Sequence, residues 1–131
     1  SAASDVYKRQ VEENEIQQIR DAIANSPFVN DYEFVQSSPW YYELLPKNAS
    51  KGEGLMHLAD LMNVDRSNTI GIGDNENDLA LVKMANVGVA VSNAVDEVKE
   101  VADFITVDNN SSAVAAVIYA LDDGEIKFEM M

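Results

Sequence analysis

The chain has 131 residues, 47% hydrophobic and 24% charged, the balance of one ordinary globular core rather than of a disordered segment. Asp and Glu number 23 against 9 Lys and Arg, a formal net charge of −14, and such a surface repels nucleic acid and anionic membranes instead of releasing their counterions. With no cysteine, disulfides, zinc-thiolate sites and thiol nucleophiles are excluded, and the longest apolar run, Ala113 to Leu121, falls far short of the roughly 20 residues that span a bilayer, so a soluble, cytoplasmic protein is expected.

Residues 1–10, SAASDVYKRQ, share no pattern with the rest of the chain and resemble a translated sequencing adapter, so they are set aside as a non-native leader. From Val11, Ile16, Ile19 and Ile23 recur at helical spacing until Asn25, Ser26 and Pro27 break the pattern. Two extended runs come next, Tyr32 to Ser38 and Trp40 to Leu45, separated by Pro39 and closed by Pro46.

Ser50 and Glu53 have capping-box spacing, which predicts a helix from Lys51 with Leu55, Leu58, Ala59 and Met62 on its packed face. Then come an apolar run over Thr69 to Ile72, the polar loop Gly73-Asp74-Asn75-Glu76-Asn77-Asp78, and a helical stripe through Leu79, Val82 and Ala85. The alternation continues with Val87 to Val91 as a strand, Val95, Val98 and Val101 or Ala102 as a helix, Phe104 to Val107 as a strand, and Val114, Val117, Ile118 and Leu121 as a last helix. Short apolar strands alternating with amphipathic helices imply parallel strands covered on both faces. The expected fold is α/β: part of a doubly wound parallel sheet. No role is assigned to the tail from Asp122 to Met131.

The loop at 73–78 holds three acids and two amides in six residues. In an open α/β sheet, ligands bind outside the carboxyl ends of the strands, where this loop would lie. Gly73 is expected to permit a sharp turn, the following helix N-terminus favours an anion, and a carboxylate here can hold a hard cation. Taken singly, Asp74, Asn75 and Asn77 are ordinary turn and cap residues; it is the strand before and the helix after that favour a site. A calcium loop of the EF-hand kind would need Gly in place of Leu79 and Glu in place of Ala85, and a dinucleotide fingerprint would need Gly in place of Glu76. Lys51, at a helix start where the dipole disfavours it, points to an anion or carboxylates nearby. His57, the only histidine, falls beside the apolar stripe and reads as solvated, and Trp40, Tyr41 and Tyr42 read as packing residues.

Together, Ser50-Lys51-Gly52, the GDxxND segment at 73–78 and the downstream Val87-Gly88-Val89-Ala90-Val91, Asn93-Ala94, Val98-Lys99 and Ala102-Asp103 resemble the Cof-type branch of the haloacid dehalogenase superfamily, from about Tyr41 to Leu121. The resemblance implies a Rossmann-like core over 46–131, the last part of an α+β cap domain over 11–45, and a magnesium-dependent phosphatase of small phosphorylated metabolites. Carried over by motif, Lys51, Asp74 and Asp78 would be catalytic, Lys51 and Asn77 would hold phosphate, and Asp74 and Asp78 would serve the Mg2+ ion, Asp78 orienting the shell through Lys51 or a metal-bound water.

The family's first motif, DxDxT, which carries the nucleophile, is absent from the sequence, and its second motif is not identifiable. The chain is therefore expected to be a truncated C-terminal portion, inactive alone. The alternative is a non-catalytic fragment that binds magnesium or phosphate weakly, or self-associates through an exposed edge of its incomplete sheet. Asn48 and Ser92 stand where the family often has glycine, the first tolerable because Asn enters the left-handed region.

Overall fold

A computed structural model describes residues 7–10, 15–39 and 41–128. Trp40 and the expected helix start at Val11 lie outside the described residues. The chain divides into two compact units, Ser1–Ser50 and Lys51–Met131. Sequence reading places this border after residue 45; the segment from Pro46 to Ser50 instead groups with the first unit, where Lys47 N–H donates to the Asp31 carbonyl at 3.0 Å.

The first unit is an α+β arrangement. Helix α1 (Ile16–Ala24) buries Ile16, as its spacing predicts. Strands β2 (Tyr32–Ser38) and β3 (Tyr41–Pro46) pair antiparallel, with Phe34 opposite Leu44. Phe34 and Tyr42 stack at 5.4 Å between ring centroids, and the Arg20 guanidinium lies 4.5 Å from the Phe34 ring centre, so Tyr42 packs within its own sheet. Tyr7–Gln10 belong to the segment set aside as a non-native leader. They form a strand, β1, along the other edge of β3, with Tyr7 opposite Leu44. Ladder pairing uses backbone groups and needs no hydrophobic alternation, so the sequence pattern carries no sign of it.

The second unit starts with α2 (Lys51–Leu61) and continues through β4 (Ile70–Gly73), α3 (Leu79–Met84), β5 (Val87–Val91), α4 (Asp96–Val101), β6 (Phe104–Thr106) and α5 (Ala113–Asp122). The three strands are parallel in the order β4-β5-β6. Every residue of the central strand β5 is buried, as a parallel strand between two helical layers requires. Val87 and Val89 pack with Val117 of α5 on one face, while Ala90 packs with Val82 of α3 and Val98 of α4 on the other. This is the doubly wound α/β architecture read from the sequence.

Two details differ from the sequence reading. Helix α2 buries Gly52, Met56 and Ala59, leaving Leu58, Leu61 and the adjoining Met62 exposed at 52%, 71% and 65%. It comes closest to α3 at Gly52, where a Cβ would lie 2.5 Å from the Ala80 carbonyl oxygen. The tail also has structure. Gly124, at φ 76°, ends α5, with Gly124 N–H donating to the Leu121 carbonyl and Glu125 N–H to that of Ala120, and this turn returns Ile126 to the core beside Val117.

Candidate functional site

Strand β4 ends at Gly73, and a Cβ there would run into the Cβ of Asp78 and come within 3.0 Å of Val82 Cγ2. The glycine is not among the left-handed residues. Its role is thus close approach rather than the sharp turn expected of it: it lets Asp78 tuck beneath the strand end. Asn75 caps the short turn Glu76–Asp78, its Oδ1 accepting from the Glu76 N–H at 2.9 Å. Asp78 reaches back so that its Oδ2 accepts from the Asp74 N–H at 3.1 Å and the Asn75 N–H at 3.5 Å.

The other carboxylate oxygen of Asp78 accepts from Lys51 Nζ at 2.6 Å. Asp78 is buried and the Lys51 side chain about half exposed. Burial raises the Asp78 carboxyl, but the Lys51 ammonium and the Asp74 N–H together outweigh it and hold the group below the ordinary carboxylate range. The lysine's position at the start of α2, unfavourable for the helix dipole, is explained by this carboxylate. One donor of the ammonium is used here, and a lysine has three.

Asp74 is anchored at three points. Its N–H goes to Asp78, its carbonyl accepts from the Val95 N–H at 2.9 Å, and its Oδ2 accepts from Asn109 Nδ2 at 3.2 Å. Burial, and next the neighbouring Asp78 carboxyl, push Asp74 above the ordinary carboxylate value. Asn77 is half-buried within the same turn. Asp74, Asp78 and Asn109 line one cleft of about 400 Å³ together with Ile72 and Val91. The structure thus brings together Lys51, Asp74 and Asp78, with Asn77 in the same loop. His57 is exposed, in keeping with its sequence reading.

Sequence reasoning missed Asn109, and it noted Asn93 only as part of the family-like Asn93-Ala94 segment, without its contact to Asn109. The available signal was position: both come after parallel strands at the carboxyl end of the sheet, where the loops converge.

Among the described residues no cluster of three metal-ligating side chains exists. Magnesium is nonetheless commonly held by one or two carboxylates, with substrate phosphate and water completing its shell. Asp74 fits that role in part, since a carboxylate raised by burial and by a like-charged neighbour is one a cation would stabilise. Both oxygens of Asp78 are engaged by Lys51 and the loop amides.

The sequence profile of a family described as haloacid dehalogenase-like hydrolases matches residues 3–118. YxeH of Bacillus subtilis (strain 168) is 43% identical over 90 residues, 69% of this chain and 33% of the relative. The 5-amino-6-(5-phospho-D-ribitylamino)uracil phosphatase YwtE of the same organism is 37% identical over 83 residues, 63% of this chain and 29% of the relative. The crystal structure of SMU.1108c from Streptococcus mutans UA159 superposes with a TM-score of 0.80 at 29% identity, covering 90% of this chain and 44% of that one. The chain spans about a third of the length of the curated relatives it matches.

Proposed function

This chain belongs to the haloacid dehalogenase-like hydrolase family, and from that premise we propose that its second unit is the cation- and phosphate-holding part of a Cof-type, magnesium-dependent phosphatase of small phosphorylated metabolites. The observation that carries this reading is the Lys51–Asp78–Asp74 chain, in which one buried carboxylate fixes both an ammonium and the loop bearing a second carboxylate. Phosphoryl transfer depends chiefly on positioning and on neutralising charge at the transferring oxygens. Lys51 directs its remaining donors at phosphate, and Asn77 adds an amide from the adjoining turn. Asp78 orients the pair. Asp74 would hold Mg2+, which when bound supplies neutralising charge at the phosphoryl oxygens. A cytoplasmic setting belongs to the same reading.

A covalent step needs a carboxylate nucleophile, and no DxDxT segment occurs in these 131 residues. The chain alone is therefore expected to hydrolyse p-nitrophenyl phosphate with Mg2+ no faster than a boiled control. Robust turnover that disappears in Asp74→Asn would overturn this and place a complete active site within the chain.

A second reading, association with another chain, is favoured by two features: β4 is an edge strand of its sheet among the described residues, and Leu58, Leu61 and Met62 stand exposed close together at the end of α2. It predicts a concentration-dependent elution volume in size-exclusion chromatography that Leu61→Lys reduces. A concentration-independent monomer contradicts it.

A further inference from the structure

We infer that Asn109 is a positioning residue for Asp74, clamped by Asn93; the inference rests on the reading of Asp74 as the cation ligand. Asn109 donates from Nδ2 to Asp74 Oδ2 at 3.2 Å, and its Oδ1 and backbone N–H meet Asn93. Asn93 Nδ2 donates to Asn109 Oδ1 at 3.0 Å, and the Asn109 N–H donates to Asn93 Oδ1 at 3.1 Å. The orientation of the Asn109 amide is thereby fixed, since turning it over would set nitrogen against Asn93 Nδ2 and oxygen against Asp74 Oδ2. The segment that carries Asn109 is itself built as a turn. Asp108 Oδ1 accepts from the Asn110 N–H at 3.0 Å and from Ser111 Oγ at 2.8 Å, and the Asp108 carbonyl accepts from the Ser111 N–H.

The network therefore joins the loops after β4, β5 and β6 at the carboxyl end of the sheet, and it ends on one oxygen of Asp74. With the backbone of Asp74 already tied to Asp78 and Val95, the Asn109 contact sets the remaining freedom, rotation of the carboxylate. Groups that orient a metal-ligating carboxylate in this way govern affinity without touching the ion.

Titration of the chain with Mg2+ alone, followed by calorimetry, tests this. Asn109→Ala is expected to weaken Mg2+ binding about tenfold. Asn109→Gln, which keeps the donor, should recover part of the loss, and Asn93→Ala should weaken binding through the same path. The Asn93→Ala/Asn109→Ala double variant should then bind no more weakly than Asn109→Ala alone, because the two act in series. If Asp74→Asn abolishes binding while Asn109→Ala leaves it unchanged, the positioning role is overturned and the ligand role of Asp74 stands. If losses of affinity track losses of metal-free melting temperature rather than the presence of the amide donor, Asn109 is only a loop support and the inference also fails. Absence of Mg2+ binding in the unsubstituted chain, or binding unaltered by Asp74→Asn, removes the ligand reading and this inference with it.

Discussion

Lys51 and Asp78 meet at 2.6 Å with one partner buried and the other half exposed, so their bond should contribute modestly to stability and strongly to geometry. Lys51→Met is expected to lower the unfolding free energy by about 1 kcal/mol, measured by urea denaturation, because the half-exposed ammonium is already well solvated. The two aspartates titrate in opposite directions. Asp78 lies below its unfolded value, so its stabilising contribution is full above the ordinary carboxylate range and is lost as pH falls through its lowered native value. Asp74 lies above its unfolded value, so at neutral pH its charge is a strain on the metal-free fold, relieved as pH falls through that raised value. Asp74→Asn should therefore raise the neutral-pH urea midpoint of the metal-free chain, and the difference from wild type should shrink on acidification. An unchanged or lowered midpoint at neutral pH would contradict this assignment of strain.

At the scale of elements, the two glycines of α2 separate packing from propensity. Gly54→Ala has open space around the new methyl group and should stabilise the helix by about 0.5–1 kcal/mol. Gly52→Ala forces a methyl group to 2.5 Å from the Ala80 carbonyl oxygen, and overpacking should destabilise by about 1–3 kcal/mol despite the better propensity. Thermal melts of the two variants should shift in opposite directions. Gly52 also shows why the packed face of α2 departs from its apolar stripe: α3 approaches so closely at Gly52 that no side chain fits there, and the buried face runs through Gly52, Met56 and Ala59 instead of Leu58 and Met62. The second unit's other elements were legible because β5 is uninterrupted Val, Gly and Ala, and the stripes of α3, α4 and α5 hold Val82, Val98 and Val117, each almost fully buried. Asp74, Asp78 and Lys51 were legible as a motif, and Asn48 does adopt the left-handed conformation, at φ 63°. The strand Tyr7–Gln10 and the contact of Asn109 were not, since one rests on backbone pairing and the other on loops distant in sequence.

For the whole molecule, the site and the sheet edge lie on the same unit, Lys51–Met131, and every residue proposed to hold phosphate or cation belongs to it. The high negative charge, −14, makes local compensation by Lys51 and a cation more consequential, since most of the surface repels phosphate. The proposed function requires that Lys51, Asp74 and Asp78 face one anion-and-cation site. Its most direct test is paramagnetic broadening of the amide spectrum by Mn2+ in place of Mg2+. Broadening should be centred on residues 73–78 and include the Asn109 side-chain amide, and it should vanish in Asp74→Asn while Lys51→Met leaves it intact. Broadening spread over the acidic surface and unaffected by Asp74→Asn would show that no such site exists at this loop.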